Sequence, residues 1–384
     1  MQLKGLEDYQ LKGKRIMLRS DMNVPLKDGI IVSSERIDRS LPTIKYILKE
    51  GGKLVLLSHF GRPRENGKFQ KEFSLKPVVD YLEKKLNREI PLVQDLDSLD
   101  NNREFSVVEN IRFFIGEKSN DSNLAQKLGS LCDLYVLDAF ATSHRAHAST
   151  TGVVDFVDQA CIGFLVREEL EGMRAIDQAK TPSLAILGGA KISTKLSLIS
   201  SLADKVDYLL LGGGIANTCL ASKGIEVGSS LVEPSLFDQA KKLVEKDNIL
   251  IPERVIVASK NKLHSKEVHV ESLNKEDSIF DISPLYIDSL KKIFREANTI
   301  IWNGPMGLFE DDKYFLGTKA VADLISTSDA YSVVGGGDTI AAVSKLGILD
   351  SINYVSTAGG AFLNYLEGKA LPALSAIEKK SLKS

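Results

Sequence analysis

A chain of 384 residues exceeds the size at which one hydrophobic core usually stops growing, so two domains are expected. With 43% apolar and 26% charged residues and a net charge of −2, the composition is that of a soluble globular protein. That balance excludes a global attraction to nucleic acid or to an anionic membrane, so any anion-binding surface must be local. The charged start MQLKGLEDYQLKGKR has no apolar signal core, and the most apolar stretch, YLLLGGGIA, is cut by glycines before it could span a membrane. Three cysteines, Cys132, Cys161 and Cys219, form no CxxC pair and sit among apolar or small residues, as buried thiols in a reducing cytoplasm would.

In chain order, KRIMLRS (14–20), KLVLLSH (53–59), FSVVEN (105–110) and LYVLDAF (134–140) read as strands buried on both faces. Between them SLKPVVDYLEKKL (74–86) has a helical pattern with Ser74 as its N-cap. GFLVREELEGMRAID (163–177) is helical and separates this series from a second one. The second comprises PSLAILGG (182–189), VDYLLLGGG (206–214), RVIVAS (254–259), TIIWNG (299–304), AYSVVGGG (330–337) and NYVSTAGG (353–360), with the helix pattern TKLSLISSLADKV (194–206). The alternation predicts two doubly wound, Rossmann-like α/β domains, each a three-layer α/β/α stack on a largely parallel sheet, joined by a hinge helix. The expected boundaries are 1–162, the helix 163–178, and 179–366.

Open parallel sheets bind ligands at the carboxyl ends of their strands. Those ends differ between the halves. The first half ends in Asp21 and Asn23, His59 and Arg62, Arg112, then Asp138, His144 and Arg145; the second ends in GGAK, GGGIANT, GPMG, GGGDT and AGGA. A strand that runs through glycines into a helix leaves unsatisfied N–H groups at a positive helix end, which suits a phosphate. Several such turns together point to a nucleotide polyphosphate. No GxGxxG follows the first strand of either half, and no GxxxxGK[ST] occurs; Gly61 to Gly67-Lys68 is one residue too long and runs into Phe69. Lys191 and Lys195, four apart beside glycines, are unfavourable neighbours without an anionic partner. Asp338 could cap a helix or hold Mg²⁺ together with phosphate oxygens.

Arg36, Arg62, Arg112 and Arg145 fall in or near the first set of strand ends, and their planar forks suit carboxylate and phosphate. In DAFATSHRAHAST (138–150), His144 and His147 flank Arg145 and are two of only five histidines. No third ligand for zinc is evident locally. The two fit an anion site as donors of hydrogen bonds, or they orient the loop. One half suited to a small anion and one suited to a nucleotide tail point to phosphoryl transfer, where catalysis is positioning and charge neutralisation. The acceptor is not named by these residues.

Together the motifs RSDMNVP (19–25), SHFGRP (58–63), ENIRF (109–113), DAFATSHRAHAS (138–149), GGAKISTK (188–195), GGGIANT (212–218), WNGPMGLFE (302–310), GGGDT (335–339) and STAGGAFLNYLEGK (356–369) resemble the phosphoglycerate kinase family, in order and along nearly the whole chain. The resemblance implies reversible, Mg²⁺-dependent phosphoryl transfer between 1,3-bisphosphoglycerate and ADP, giving ATP and 3-phosphoglycerate, within glycolysis and gluconeogenesis. It implies a cytoplasmic monomer, lobes that close on each other, and a C-terminal segment, about 367–384, returning to the first domain. Matched by motif, Asp21, Asn23, His59, Arg62, Arg112, His144 and Arg145 would hold the phosphoglycerate, with Arg36 stabilising the transferring phosphoryl from that side. Lys191 would do so from the nucleotide side, with Gly337 and Gly360 as backbone donors. Lys195, Ile279, Glu310, Gly336, Gly337, Asp338 and Thr339 would contact the nucleotide, and Asp338 would hold Mg²⁺. The chain departs from the family at Ala141 and Ala358, where glycine is usual, at Thr194 in place of aspartate, at Ser283 in DISP, and at Ile279, where a nucleotide-contacting glycine is common. An alanine forced to positive φ would lose roughly 1–2 kcal/mol. The departures leave an active enzyme with altered nucleotide affinity as the expectation; a nucleotide-binding homologue without turnover and a different acid kinase are the rivals.

Overall fold

The apolar runs become the strands of two six-stranded parallel sheets. The computed structural model describes residues 3–177, 180–259 and 264–382. Residues 178 and 179, where the sequence reading ends its interdomain helix and begins the second domain, lie outside the described residues, as do 1, 2, 383 and 384. The chain divides into two units, Met1–Leu170 with Ala370–Ser384, and Glu171–Lys369.

Beside a short hairpin, Leu26–Lys27 with Ile30–Ile31, the first unit's parallel sheet has the strands β1 (Arg15–Ser20), β2 (Lys53–Leu57), β3 (Leu92–Val93), β4 (Phe105–Val108), β5 (Leu134–Asp138) and β6 (Ala160–Ile162). They lie in the order β3-β4-β2-β1-β5-β6, all parallel. The order reverses beside β1, which has β2 on one side and β5 on the other. Register brings Ser20 level with Asp138, so the loops after β1 and β5 leave from one edge. The helix Glu35–Lys49 buries Ile37, Leu41, Ile44 and Ile47 along one face. Its Ser40 hydroxyl meets that of Ser20 at 2.7 Å, which fixes the first turn, and Arg36, over the end of β1.

The second unit contains β7 (Ser183–Leu187), β8 (Tyr208–Leu211), β9 (Ile249–Leu250), β10 (Arg254–Ala258), β11 (Ser265–His269), β12 (Ser278–Ile282), β13 (Thr299–Asn303), β14 (Tyr331–Gly335) and β15 (Tyr354–Ser356). Its parallel sheet runs β9-β8-β7-β13-β14-β15, with the reversal beside β7. RVIVAS does not join that sheet as expected. It is the centre of a separate antiparallel sheet, β11-β10-β12, that packs Val255 and Val257 into its own small core. Between Ile256 and Val257 the pairing with β12 shifts by one, so Phe280 is an extra residue, a bulge in the strand that walls the cavity described below.

The helix read at 163–177 spans Phe164–Asp177, and the division between units falls inside it. Asp138 at the end of β5 accepts the Val166 N–H at 3.2 Å, and Glu169 receives Arg39, so the first half of the helix belongs with the first unit. At the C-terminal end, Glu367 accepts the Ser197 hydroxyl at 3.2 Å within the second unit. The helix Pro372–Ser381 lies in the first unit, where the Ala373 N–H donates to the Ser143 carbonyl at 3.2 Å. Ser74 caps from one position further out than expected. The second helix starts at Lys76, and the Ser74 hydroxyl accepts the Lys76 N–H at 3.1 Å while donating to Glu109.

Candidate active site: a cationic face and a glycine-lined cavity

At the carboxyl edge of the first sheet, Asp21 leaves β1 buried and receives Arg36 Nη1 at 2.7 Å. Its other oxygen accepts the Asn23 N–H at 3.2 Å, and the Asn23 side chain accepts the Gly61 N–H at 2.8 Å. The Gly61 carbonyl in turn accepts Arg112 Nη1 at 2.6 Å. Four of the residues singled out in the sequence are thus tied into one array. Arg62 follows Gly61 with an exposed side chain that has no hydrogen bond or ion pair. Arg112 is buried and its Nε has no partner, so a cation with one unused donor is held at the floor of this face.

Behind the array lies a network that sequence reasoning missed. Arg19, fully buried within β1, donates from Nε to the Ser149 hydroxyl at 2.9 Å and from Nη1 to the Ser20 carbonyl. Its Nη2 lies 3.4 Å from His59 Nδ1. Glu117, with no exposed surface, accepts both the Ser149 N–H at 2.9 Å and the Ser149 hydroxyl at 2.7 Å. The only signal for Arg19 was a charge inside an otherwise apolar strand, and Glu117 carried none.

The two histidines of the loop 138–150 take different partners, and the described residues contain no cluster of three His, Cys, Asp or Glu fit to hold a metal. His144 Nε2 accepts Arg145 Nε at 3.0 Å and so orients that arginine. His147 turns inward, its Nδ1 3.6 Å from Glu117 Oε1. Burial, then Arg19 and Arg112, pushes His147 down to about 4; burial and the surrounding arginines push His59 well below the ordinary imidazole range. The approaches of His59 to Asp21 and of His147 to Glu117 are therefore contacts of neutral rings, not ion pairs. Arg112 is itself lowered to about 10 by burial and by Arg19 and Arg145. Burial and the concentration of arginines thus disfavour protonated rings on this face.

Two consequences follow for pH. Unfolding frees His59 and His147 to bind protons at their ordinary range, so stability is present above about pH 6.5 and falls as pH drops toward about 4. An anion on the face offsets the arginines and raises both histidines. Binding of a phosphate-bearing anion to this face is therefore expected to take up protons at pH 6 and not at pH 8, measured by calorimetry in buffers of unequal ionisation enthalpy; equal heats at pH 6 would contradict this.

In the second unit, Lys195 Nζ sits at the reversal point, donating to the Gly188 carbonyl at 2.6 Å and the Asn303 carbonyl at 3.2 Å, past the ends of β7 and β13. Burial lowers it to about 8, and Asp338 draws it back up. Gly304 has φ +95°, and a Cβ there would lie 2.2 Å from the Gly188 carbonyl oxygen, so the two strand ends meet only because side chains are absent. Gly336 has φ +99° and turns β14 into the helix Gly337–Lys345. That helix begins with an exposed Gly337 and an exposed Asp338 whose carboxylate has no hydrogen bond. Thr339 is buried, its hydroxyl accepting the Gly304 N–H at 2.6 Å and donating to the Gly335 carbonyl at 3.0 Å.

A cavity of about 450 Å³ opens beside these turns, lined by Gly189, Gly213, Gly214, Ile279, Glu310 and Asp338 among others. Sequence reasoning missed five polar lining residues, Asn217, Ser229, Ser230, Ser278 and Asp281. Asp281 lies inside β12, accepting the Gly317 N–H at 2.8 Å and the Ile282 N–H at 2.9 Å. Lys191, Gly359 and Gly360 stand outside the lining: Lys191 is exposed on the turn Ile192–Thr194, and Gly359, with φ +54°, precedes the helix Gly360–Leu366. Of the departures, neither Ala141 nor Ala358 has positive φ, so the strain they could have caused does not arise. Ser283 has φ −66° and caps the helix Pro284–Ser289 by accepting the Leu285 N–H. Thr194 donates to the Lys191 carbonyl at 2.8 Å.

The family model "Phosphoglycerate kinase" matches residues 6–369. Among solved structures, phosphoglycerate kinase from Coxiella burnetii is 43% identical with a TM-score of 0.93, over 99% of this chain and 100% of that one. Phosphoglycerate kinase from Pyrococcus horikoshii OT3 is 29% identical with a TM-score of 0.81, over 99% of each chain. A family match over residues 6–369, together with structural neighbours of that family along nearly the whole chain, means that the chain belongs to the phosphoglycerate kinase family of phosphotransferases.

Proposed function

We propose that the chain transfers phosphate reversibly between 1,3-bisphosphoglycerate and ADP, yielding ATP and 3-phosphoglycerate, as a glycolytic enzyme. The observation that carries this reading is the pairing, in one chain, of a parallel sheet ending in arginines with one ending in glycines around a cavity. The acceptor in the reverse direction is a carboxylate, already ionised at neutral pH, so no general base is needed. Arg112, Arg62 and Arg145 bind the phosphoglycerate, with Asp21 and Asn23 fixing the loops and the neutral His59 and His144 orienting neighbours. Arg36 and Lys191 face the moving phosphoryl from the two sides and neutralise its charge in an in-line transfer. Lys195 and the backbone donors of Gly336, Gly337 and Thr339 hold nucleotide phosphates, Gly359 and Gly360 add donors at a further turn, and Ile279 and Glu310 flank the base and ribose. Carboxylate and terminal phosphate are bound by different units, so closure of the units and exclusion of water belong to the proposal.

The exposed, unpartnered Asp338 at the cavity fits Mg²⁺, which takes one or two carboxylates plus phosphate oxygens. Bound there, Mg²⁺ supplies charge to the nucleotide phosphates. Asp338→Ala is expected to raise KM for Mg-ATP about tenfold with KM for 3-phosphoglycerate unchanged. An unaltered nucleotide KM would remove Asp338 from the site. The substrate class is tested by comparing 3-phosphoglycerate with glycerate: binding of the phosphorylated acid alone, weakened by Arg62→Ala, is expected, and equal use of both acids would favour a different acid kinase. We further propose a monomer in a reducing cytoplasm, the latter supported by three buried free thiols.

A further inference from the structure

Lys191 is exposed on a three-residue turn, Ile192–Thr194, that follows two glycines, and no side chain caps that turn from its own N-cap position. A long side chain on so short a turn needs the turn itself to be held. The holding group comes from elsewhere in the unit. Glu233 Oε2 accepts the Ser193 N–H at 2.8 Å, and its Oε1 accepts the Ser193 hydroxyl at 2.6 Å. The grip is two-pronged, one oxygen on the Ser193 N–H and the other on its hydroxyl.

Glu233 is itself anchored. Its N–H donates to the Thr218 hydroxyl at 3.2 Å, and Thr218 donates in turn to the Gly214 carbonyl at 2.9 Å, within the helix that begins at the GGG turn. Just before it, Ser229, Ser230 and Leu231 line the cavity, and the Ser230 hydroxyl accepts the Ile279 N–H at 2.8 Å. One strap, 229–233, therefore fixes a cavity wall at one end and the turn bearing Lys191 at the other. The Ser193 hydrogen bonds, and then the Lys191 ammonium, hold the Glu233 carboxyl below its ordinary range, so it is an anion at neutral pH.

We infer that Glu233 is a positioning residue for Lys191, clamping the turn Ile192–Thr194 so that the lysine is presented to the nucleotide's terminal phosphate. This rests on the phosphoryl-transfer role given to Lys191 above. Glu233 touches neither substrate nor reacting atoms, and its effect passes through Ser193.

The test is a double-mutant cycle on the full chain, read as turnover number at saturating Mg-ATP and 3-phosphoglycerate, with thermal melts of every variant. Glu233→Ala is expected to lower turnover about 10- to 100-fold, the scale of misplacing a catalytic group by about 1 Å, with KM for 3-phosphoglycerate unchanged. Glu233→Gln keeps an oxygen for the Ser193 N–H and is expected to retain turnover within about threefold. In a Lys191→Ala background, Glu233→Ala is expected to add no further loss. The inference is overturned if Glu233→Ala leaves turnover intact, if Gln fails as badly as Ala, or if the loss persists undiminished without Lys191. If Lys191→Ala alone leaves turnover unchanged, the role of Lys191 falls and the inference falls with it; if only the Glu233 result fails, the role of Lys191 stands.

Discussion

Arg36→Ala is expected to cut turnover by about 10³-fold, the lower end of what a charge-stabilising arginine contributes to phosphoryl transfer, while the protein stays folded. Arg36 spends one nitrogen on Asp21 at 2.7 Å and keeps more than a third of its side chain exposed at the sheet edge, which leaves the rest of its fork open for the role proposed for it. Asp21 loses a partner in the variant but keeps the Asn23 N–H. With the arginine this exposed, stability should fall by only about 1 kcal/mol. Arg36→Lys restores a charge that can pair with Asp21 but not the fork, and should recover part of the turnover. Steady-state turnover beside the dissociation constant of 3-phosphoglycerate separates the roles. A loss confined to binding, with turnover intact, would make Arg36 a substrate ligand and nothing more.

Glu117→Ala should act on stability instead. Glu117 is the carboxylate at the back of a face that carries Arg19, Arg112 and Arg145, and it lies in the interior with both oxygens engaged by Ser149 or near His147. Removing it strips Ser149 of two hydrogen bonds and takes one negative charge from the surroundings of the buried Arg19, a change that typically costs about 3 kcal/mol or more. The unfolding midpoint in urea should fall accordingly at pH 7.5. Added 3-phosphoglycerate should recover more stability in the variant than in the wild type, because the anion replaces the missing charge. Glu117→Gln, which keeps the shape and part of the hydrogen bonding, should fall between the two. Equal stabilisation of variant and wild type by the ligand would show that Glu117 and the bound anion do not share the same field.

The parallel sheets were readable because their strands are apolar throughout, as in LYVLD, where all five residues are buried. Sheet membership was not readable for every run. RVIVAS looks like its neighbours, yet it pairs with β11, whose SKEVH is polar and half in solvent and offers no apolar pattern to read. The strands at 92–93 and 249–250 are too short to carry any period. At the candidate site, the glycine and arginine strand ends could be singled out by position. The residues that tune them did not. Arg19 and Asp281 sit inside strands, Glu117 in a loop, and each owes its role to a partner far away in the chain that only the register supplies. Ala141, Ala358 and Ser283 could not be judged from their identity, because the question was the sign of φ, a property of the folded backbone.

The central claim is that these two strand-end constellations perform one reaction. The most direct measurement is steady-state ADP formation from Mg-ATP and 3-phosphoglycerate, with a coupling enzyme removing the product and blanks lacking the acid or the metal. The account expects sustained turnover that requires both and collapses in Arg36→Ala. Absence of turnover in folded protein that still binds nucleotide would contradict it and leave a nucleotide-binding homologue in its place.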